Sequence, residues 1–358
     1  MKNEKLFSTS LLFWHCNENS REMPWKGEKD PYKIWISEII LQQTRVQKGL
    51  AYYNRFIEEF RDVKTLATAS ELKVYKLWEG LGYYSRCKNL IRTAKYIHEE
   101  LDGHFPEKYE DILALNGIGN YTASAIASFA FNQPYAVLDG NVFRVLSRFF
   151  GIEIPVNTTQ GKKYYAALAQ TLLDKKNPAL YNQAIMDFGA VICKPALPEC
   201  LQCPLQKKCI AFLKNKVSVL PVNNAVNKQK KRFFNYLVVE YDQTFYINKR
   251  IEKDIWENLY EFILLETNSL LNEKELLKNE QFLSLLKGHA FKVKSFSEKI
   301  SQKLTHQLIT AIFIPIEIEK PLHTGKYFSA NVNELKSLPF PKLIASYLAE
   351  KNVPLSSI

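Results

Sequence analysis

Apolar residues recur at helical spacing through most of the first 220 positions. The windows 46–60, 71–79, 88–101, 109–115, 121–131, 141–150, 162–173 and 180–192 place them three or four apart, and Gly80, Gly82, Gly103, Pro106, Gly117, Gly119, Gly140 and Gly151 fall between the windows. Asp30 before Pro31 marks a further helix start, with Asp as N-cap and Pro at the first helical position. That helix, to about Leu41, is apolar all round, which predicts burial on most sides. Thr44 and Gln47 have capping-box spacing and predict the start of the next helix, leaving Gln42 and Gln43 at the break. The stretch "PVNNAVNKQKKR", 221–232, is polar and aperiodic and reads as a linker. Beyond it the pattern changes. "FFNYLVVEYDQTFYINKR" predicts two strands joined by a turn around Asp242, "LITAIFIPIEI", 308–318, predicts another, and "LPFPKLIASYLAEK" predicts a C-terminal helix. The expected organisation is an all-helical region over 1–220, a linker over 221–232, and an α+β domain over 233–358. No internal repeat is visible.

A chain of 358 residues with 46% hydrophobic content is long enough for two or three packed domains. Its net charge of +11 favours a polyanionic partner, nucleic acid or an anionic surface. No run approaches the roughly 20 apolar residues that cross a bilayer. The opening "MKNEKLFSTSLLFWHC" carries Glu4, is broken by Ser8, Thr9 and Ser10, and lacks a cleavage site, so it reads as a helix of the mature fold rather than an export signal. The expected location is the cytoplasm, where disulfides are rare. The six cysteines then call for another account.

Candidate chemistry begins in "WISEIILQQT", 35–44, where Glu38 sits inside an apolar run. A buried carboxyl is costly unless paired or protonated. Either an Arg or Lys satisfies it, or it is a general acid with a raised pKa. In "LNGIGNYTASAI", 115–126, Gly117 and Gly119 join two helices. Such a G-x-G turn can be a plain connection, or it can bring backbone N–H groups and a helix N-terminus up to a phosphate. Asp139, in "VLDGNVFRV", 137–145, precedes an apolar-periodic helix whose dipole favours its ionised form. An ionised Asp beside a protonated Glu is the divided-role pair that breaks a glycosidic bond. "CKPALPECLQCPLQKKC" spaces Cys193, Cys200, Cys203 and Cys209 as C-x6-C-x2-C-x5-C, which suits a compact metal centre. Structural zinc more often uses two C-x2-C pairs, and iron–sulfur clusters are held by four thiolates. Cys16 and Cys87 fall outside the run and are expected to be ordinary core residues.

Together "MPWKGEKDPYKIWISEIILQQTRV", "GLGYYSR" at 80–86, "LNGIGNYTA", "VLDGNVFRV" and the cysteine run resemble the MutY-type adenine DNA glycosylases of the helix-hairpin-helix superfamily, along nearly the whole chain. The resemblance implies a helix-hairpin-helix glycosylase region over 1–220, with its cluster loop at 193–209, and a C-terminal Nudix-like domain. It implies flipping and hydrolytic excision of adenine mispaired with 8-oxoguanine or guanine in duplex DNA, by a monomeric, nucleoid-associated enzyme. In that reading Glu38 protonates adenine and Asp139 stabilises or traps the oxocarbenium-like sugar. Asn141 matches the active-site asparagine, and Tyr121 the tyrosine that positions the aspartate. The related endonuclease III type has a lysine at the Tyr121 position that forms a Schiff base, so a monofunctional enzyme is expected. Gln43 and Tyr83 match residues that wedge into the duplex where the base is flipped, and Gln42, Gly117 and Gly119 are placed with them in DNA binding. Cys193, Cys200, Cys203 and Cys209 match the ligands of one 4Fe–4S cluster, with Lys194, Lys207 and Lys208 beside it for phosphate.

The C-terminal match is looser. "DIWENLYEF" keeps Trp256, Leu259, Glu261 and Phe262 but has Asn258 and Tyr260 where Gly and Trp are frequent. "KLTHQL" supplies Thr305 and His306 for the oxidised guanine, with Leu304 in place of Phe; Lys26 stands where Arg is frequent. No acidic metal-binding helix of the Nudix hydrolase type is seen, so nucleotide hydrolysis is not expected. Two other readings compete: an endonuclease III-like glycosylase/lyase on oxidised pyrimidines, and a non-catalytic DNA-binding module.

Overall fold

Asp30 caps the second helix as its sequence demands: its carboxylate accepts the Tyr32 N–H, and Pro31 opens the helix. The computed structural model to which this helix belongs describes residues 2–224, 229–323 and 325–351. Residues 225–228 of the expected linker lie outside the described residues, as do 324 and 352–358 of the C-terminal domain. The chain divides into two units, Met1–Ala69 with Lys88–Ala225, and Ser70–Cys87 with Val226–Ile358.

In chain order the helices are α1 (Lys2–Asn17), α2 (Pro31–Leu41), α3 (Val46–Glu59), α4 (Val63–Thr68), α5 (Glu71–Trp78), α6 (Tyr84–Glu100), α7 (Tyr109–Ala114), α8 (Asn120–Phe131), α9 (Gly140–Phe150), α10 (Thr159–Leu172), α11 (Pro178–Val191) and α12 (Ile210–Leu213). The core of the first unit gathers Phe7, Leu11 and Trp14 of α1, Val142, Leu146 and Phe149 of α9, Tyr165 of α10, and Tyr181 and Phe188 of α11. These positions recur at three- and four-residue steps, so each helix turns one stripe inward. Cys16 points away from the stripe of α1 and is exposed, against expectation, whereas Cys87 is buried. Helix α2 is packed against α3 and α8 and buries Ile34, Trp35, Ile36, Ile39 and Ile40. The expected capping box at Thr44 does not form. Arg45 is the N-cap of α3 with no side-chain cap, and the Thr44 hydroxyl donates to the Gln42 carbonyl instead.

The second unit holds a mixed sheet of β1 (Lys230–Tyr241), β2 (Thr244–Lys249), β3 (Tyr260–Thr267), β4 (Phe291–Val293), β5 (Ile300–Lys303), β6 (Gln307–Ile318) and β7 (Phe328–Asn331). The spatial order is β4-β6-β1-β3-β2-β7, with β5 also paired to β6. The β1–β6 pair is parallel and the rest are antiparallel. Asp242 and Gln243, both at positive φ (44° and 59°), make the tight β1–β2 turn. Strand β1 begins inside the expected linker, because Lys230, Lys231 and Arg232 pair with Gln307, Leu308 and Ile309. Alternation sorts the side chains between two faces. Leu237, Val239, Ile263, Ile312 and Ile314 pack with Leu276, Phe282 and Leu286 from α13 (Glu273–Leu276), α14 (Glu280–Leu285) and the residue after it. On the other parity, Tyr236 stacks on Phe313, which stacks on Tyr347 of α16 (Lys342–Glu350) at 3.9 Å; α15 (Val332–Ser337) follows β7. Asn258 has φ +71°, a region glycine enters freely and asparagine more readily than most. No helix among the described residues is long and apolar enough to cross a membrane.

Candidate active site

The apolar surround of α2 leaves Glu38 7% exposed at the wall of a cavity of about 1040 Å³ in the first unit. The cavity is also lined by Gln42, Gln43, Gly117, Gly119, Tyr121, Asp139 and Asn141. The structure therefore brings together candidates up to about a hundred residues apart in sequence. Among the described residues, Glu38 meets a phenol and a second carboxylate rather than an arginine or lysine: Tyr121 is hydrogen-bonded to it, and Asp139 acts on it through its charge. Burial pushes Glu38 up to about 7, the Tyr121 bond opposes this, and the negative charge of Asp139 adds to it. Burial likewise raises the Tyr121 phenol, so it stays a hydrogen-bond donor.

Asp139 is the N-cap of α9. One carboxylate oxygen accepts the Val142 N–H at 2.8 Å and the other accepts Asn141 Nδ2 at 2.7 Å. Burial raises the Asp139 pKa against these bonds and the Arg144 charge. Both carboxyls are pushed up, but Asp139 has several groups favouring its anion and Glu38 has one. Of the two, Glu38 is the carboxyl whose surroundings favour the protonated form more.

The hairpin between α7 and α8 turns at Gly117, with φ +77°, and a Cβ there would come within 2.5 Å of the Asn89 side chain. Gly119 is the N-cap of α8, and Tyr121 follows in its first turn. Gln42 Nε2 donates to the Thr122 hydroxyl at 3.3 Å. Gln43 is exposed at φ +56°, a conformation side chains avoid without cause.

Tyr83 belongs to the second unit, with the sheet. It is 44% exposed at φ +50°, and its hydroxyl is 3.2 Å from the Thr305 hydroxyl. Thr305 and His306 are exposed in the turn between β5 and β6.

The four cysteines of the run line one small cavity of about 30 Å³ with Arg148, Ile192 and Phe212. None is in a disulfide. Among the described residues, no three His, Cys, Asp or Glu side chains close on a single metal ion.

Besides Lys26, several residues of this region were not anticipated. Asp187 is fully buried on α11 and accepts from Arg21 at 2.6 Å, Asn19 at 2.8 Å and Gln183 at 3.0 Å. Lys26 lies 3.3 Å from the same carboxylate and donates to the Arg21 carbonyl, which fixes its place at the cavity wall. Arg144 and Arg148, one turn apart on α9, are buried. Arg144 donates to Asn141 Oδ1, Gly189 O and Cys193 O, and Arg148 to Lys194 O, Pro195 O and Leu220 O. Gly189 lets α11 pass close to α9, since a Cβ there would lie 2.6 Å from Asn141 Cβ. The only sequence signal was a pair of arginines four apart in an otherwise apolar helix; the carbonyls they satisfy come from distant turns.

A family model described as HhH-GPD superfamily base excision DNA repair protein matches residues 36–171. The adenine DNA glycosylase of Buchnera aphidicola subsp. Schizaphis graminum is 35% identical over 323 residues, covering 90% of this chain and 91% of that protein. The human adenine DNA glycosylase is 41% identical over 214 residues, covering 57% of this chain and 39% of the human one. Among solved structures, a thermostable thymine-DNA glycosylase aligns with a TM-score of 0.55 at 29% identity, over 60% of this chain and 98% of that one. An endonuclease III in a non-covalent DNA complex aligns with a TM-score of 0.52 at 17% identity, over 60% of this chain and 97% of its own, a likeness of fold.

Proposed function

The chain belongs to the adenine DNA glycosylases, the N-glycosyl hydrolases of base excision repair, and on that premise we propose that Glu38 is the general acid and that the target is adenine opposite 8-oxoguanine or guanine. The observation that carries this reading is the Glu38–Tyr121–Asp139 constellation in one pocket, with burial holding the Glu38 carboxyl up to about 7. The flipped adenine enters the pocket and takes the proton of Glu38 on a ring nitrogen, which turns the base into a neutral leaving group. Positive charge then develops on the sugar, and the Asp139 carboxylate, aimed by Val142 and Asn141, stabilises it. Water completes the hydrolysis. Tyr121 stands where a lyase would need an amine, which supports a monofunctional enzyme. Borohydride should trap no covalent DNA complex.

Gln42, Gly117 and Gly119 at the pocket line the path of the strand in this reading, and Gln43 and Tyr83 wedge into the duplex where the base is flipped. Thr305 and His306 read the oxidised guanine by hydrogen bonds. Cys193, Cys200, Cys203 and Cys209 fit one 4Fe–4S cluster, because four unpaired thiols line one cavity and a four-iron cube takes one thiolate per iron rather than four at a single ion. The cluster would supply a rigid anchor for the loop that carries Lys194, Lys207 and Lys208 toward phosphate.

The decisive experiment is single-turnover excision on duplexes with adenine opposite each base. Glu38→Gln should bind the duplex and release no adenine; a near-native rate would remove the acid assignment.

A further inference from the structure

The turn that presents Tyr83 follows directly on Glu79, whose side chain is buried at 5% exposure. A buried carboxylate is tolerated only with partners, and both of its oxygens have them. Oε1 accepts the Phe340 N–H at 2.9 Å and Oε2 accepts Lys76 Nζ at 2.7 Å. The same ammonium donates to the Leu338 carbonyl at 3.0 Å. Both side chains thus grip the strap Leu338–Phe340, which is itself fixed to β3 by the Tyr260 N–H on the Pro339 carbonyl at 2.9 Å. A further stitch runs from Asn258 Nδ2 to the Tyr75 hydroxyl at 3.1 Å.

Beyond Glu79 the backbone is unusual. Gly80, Gly82 and Tyr83 have φ of +88°, +77° and +50°. A side-chain-bearing residue holds such a conformation only where its surroundings impose it. Two donors converge on the Gly82 carbonyl: Trp78 Nε1 at 3.1 Å and Arg86 Nη2 at 3.2 Å. The Arg86 guanidinium also lies over the rings of Trp78 and Tyr83. Trp78 adjoins Glu79, so fixing Glu79 fixes the base of the turn.

We propose that Glu79 is a positioning residue that clamps this turn to the Leu338–Phe340 strap of the same unit and so holds Tyr83 ready for the duplex. The proposal rests on the reading of Tyr83 as a DNA wedge. Its test is a double-mutant cycle in the full-length protein. Binding would be measured on a duplex carrying a non-cleavable 2′-fluoro-2′-deoxyadenosine opposite 8-oxoguanine. Glu79→Ala should weaken binding about tenfold, because Tyr83 would no longer be held in its binding conformation before the duplex arrives. Tyr83→Ala should also weaken it, and adding Glu79→Ala to Tyr83→Ala should weaken it no further. Excision by Glu79→Ala at saturating enzyme should stay within about twofold of native, which places the loss in affinity rather than chemistry. If the two losses multiply, or if the saturating rate falls while affinity holds, the clamp is wrong and the wedge stands. If Tyr83→Ala binds like the native protein, the wedge reading falls and takes the clamp with it. Should Glu79→Ala not fold, Glu79→Gln keeps an acceptor for Phe340 and cuts the pair with Lys76. Its smaller loss must vanish in the Tyr83→Ala background, and a loss that persists there overturns the proposal.

Discussion

Glu38 and Asp139 are both buried carboxyls, and their difference lies in what each accepts. Asp139 receives Val142 N–H and Asn141 Nδ2, whereas Glu38 receives the Tyr121 phenol. With the Glu38 pKa raised from 4.5 to about 7, the acid form is lost as pH climbs through neutrality, so the chemical step should slow above about pH 7. A single-turnover rate flat from pH 6 to 9 would contradict this. The same shift has a stability sign. Between 4.5 and about 7 the folded protein holds a proton that the unfolded chain has released, so this site's contribution to stability declines as pH rises through that window. Glu38→Gln removes the penalty and should raise stability at pH 8 by on the order of 2 kcal/mol, with the gain shrinking toward pH 5. Melting curves at the two pH values check it. Glu38 stood out in the sequence because a lone carboxylate inside "WISEIIL" breaks the pattern around it. Asp187 did not, because its partners Asn19, Arg21 and Lys26 lie more than 160 residues away along the chain and nothing local in "MDFGA" announces them.

At the scale of elements, helices and strands were legible because each presents one apolar stripe or one alternating face. What periodicity cannot show is which of two plausible caps forms, and the contest at Thr44 went to a bond with the Gln42 carbonyl. The hairpin between α7 and α8 separates its two glycines in a way their spacing does not. Gly117 needs positive φ and abuts Asn89, whereas Gly119 sits at φ −99° with open space around its Cα. Gly117→Ala should therefore cost about 2 kcal/mol or more, from left-handed strain and the clash. Gly119→Ala should cost about 1 kcal/mol or less, the difference between glycine and alanine at an N-cap. Chemical denaturation of the two variants distinguishes them, and equal losses would mean the hairpin tolerates rearrangement. The cysteine loop makes its own prediction at this scale. Anaerobically purified protein should be yellow-brown with iron and sulfide, and fully occupied zinc without iron would overturn the cluster.

Across the whole molecule, the division of the chain does not follow its order. A cut at the polar stretch 221–232 was the natural sequence reading, yet residues 70–87 gather with the sheet. Within this unit Lys76 and Glu79 bond Leu338 and Phe340, more than 250 residues along, and no composition shift marks these contacts. Native-state hydrogen exchange should find amides of α5 opening together with β1 and β3; exchange in step with α3 would refute the grouping. The net charge of +11 acts at this scale too. Duplex affinity should fall steeply between 50 and 200 mM salt, roughly linearly in log–log form. A flat dependence would mean that phosphate contributes little.

Asp139 starts a helix and, in the proposed mechanism, also faces the sugar. Alanine at this position would fray the first turn of α9 as well as remove a charge, so its phenotype has two origins. Asparagine caps a helix as well as aspartate does, and would leave the scaffold whole while silencing the reaction. Such an allele would yield a sound but inert protein that occupies its DNA target and shields it from its working siblings, an interference that mixing the two forms in one excision assay would reveal.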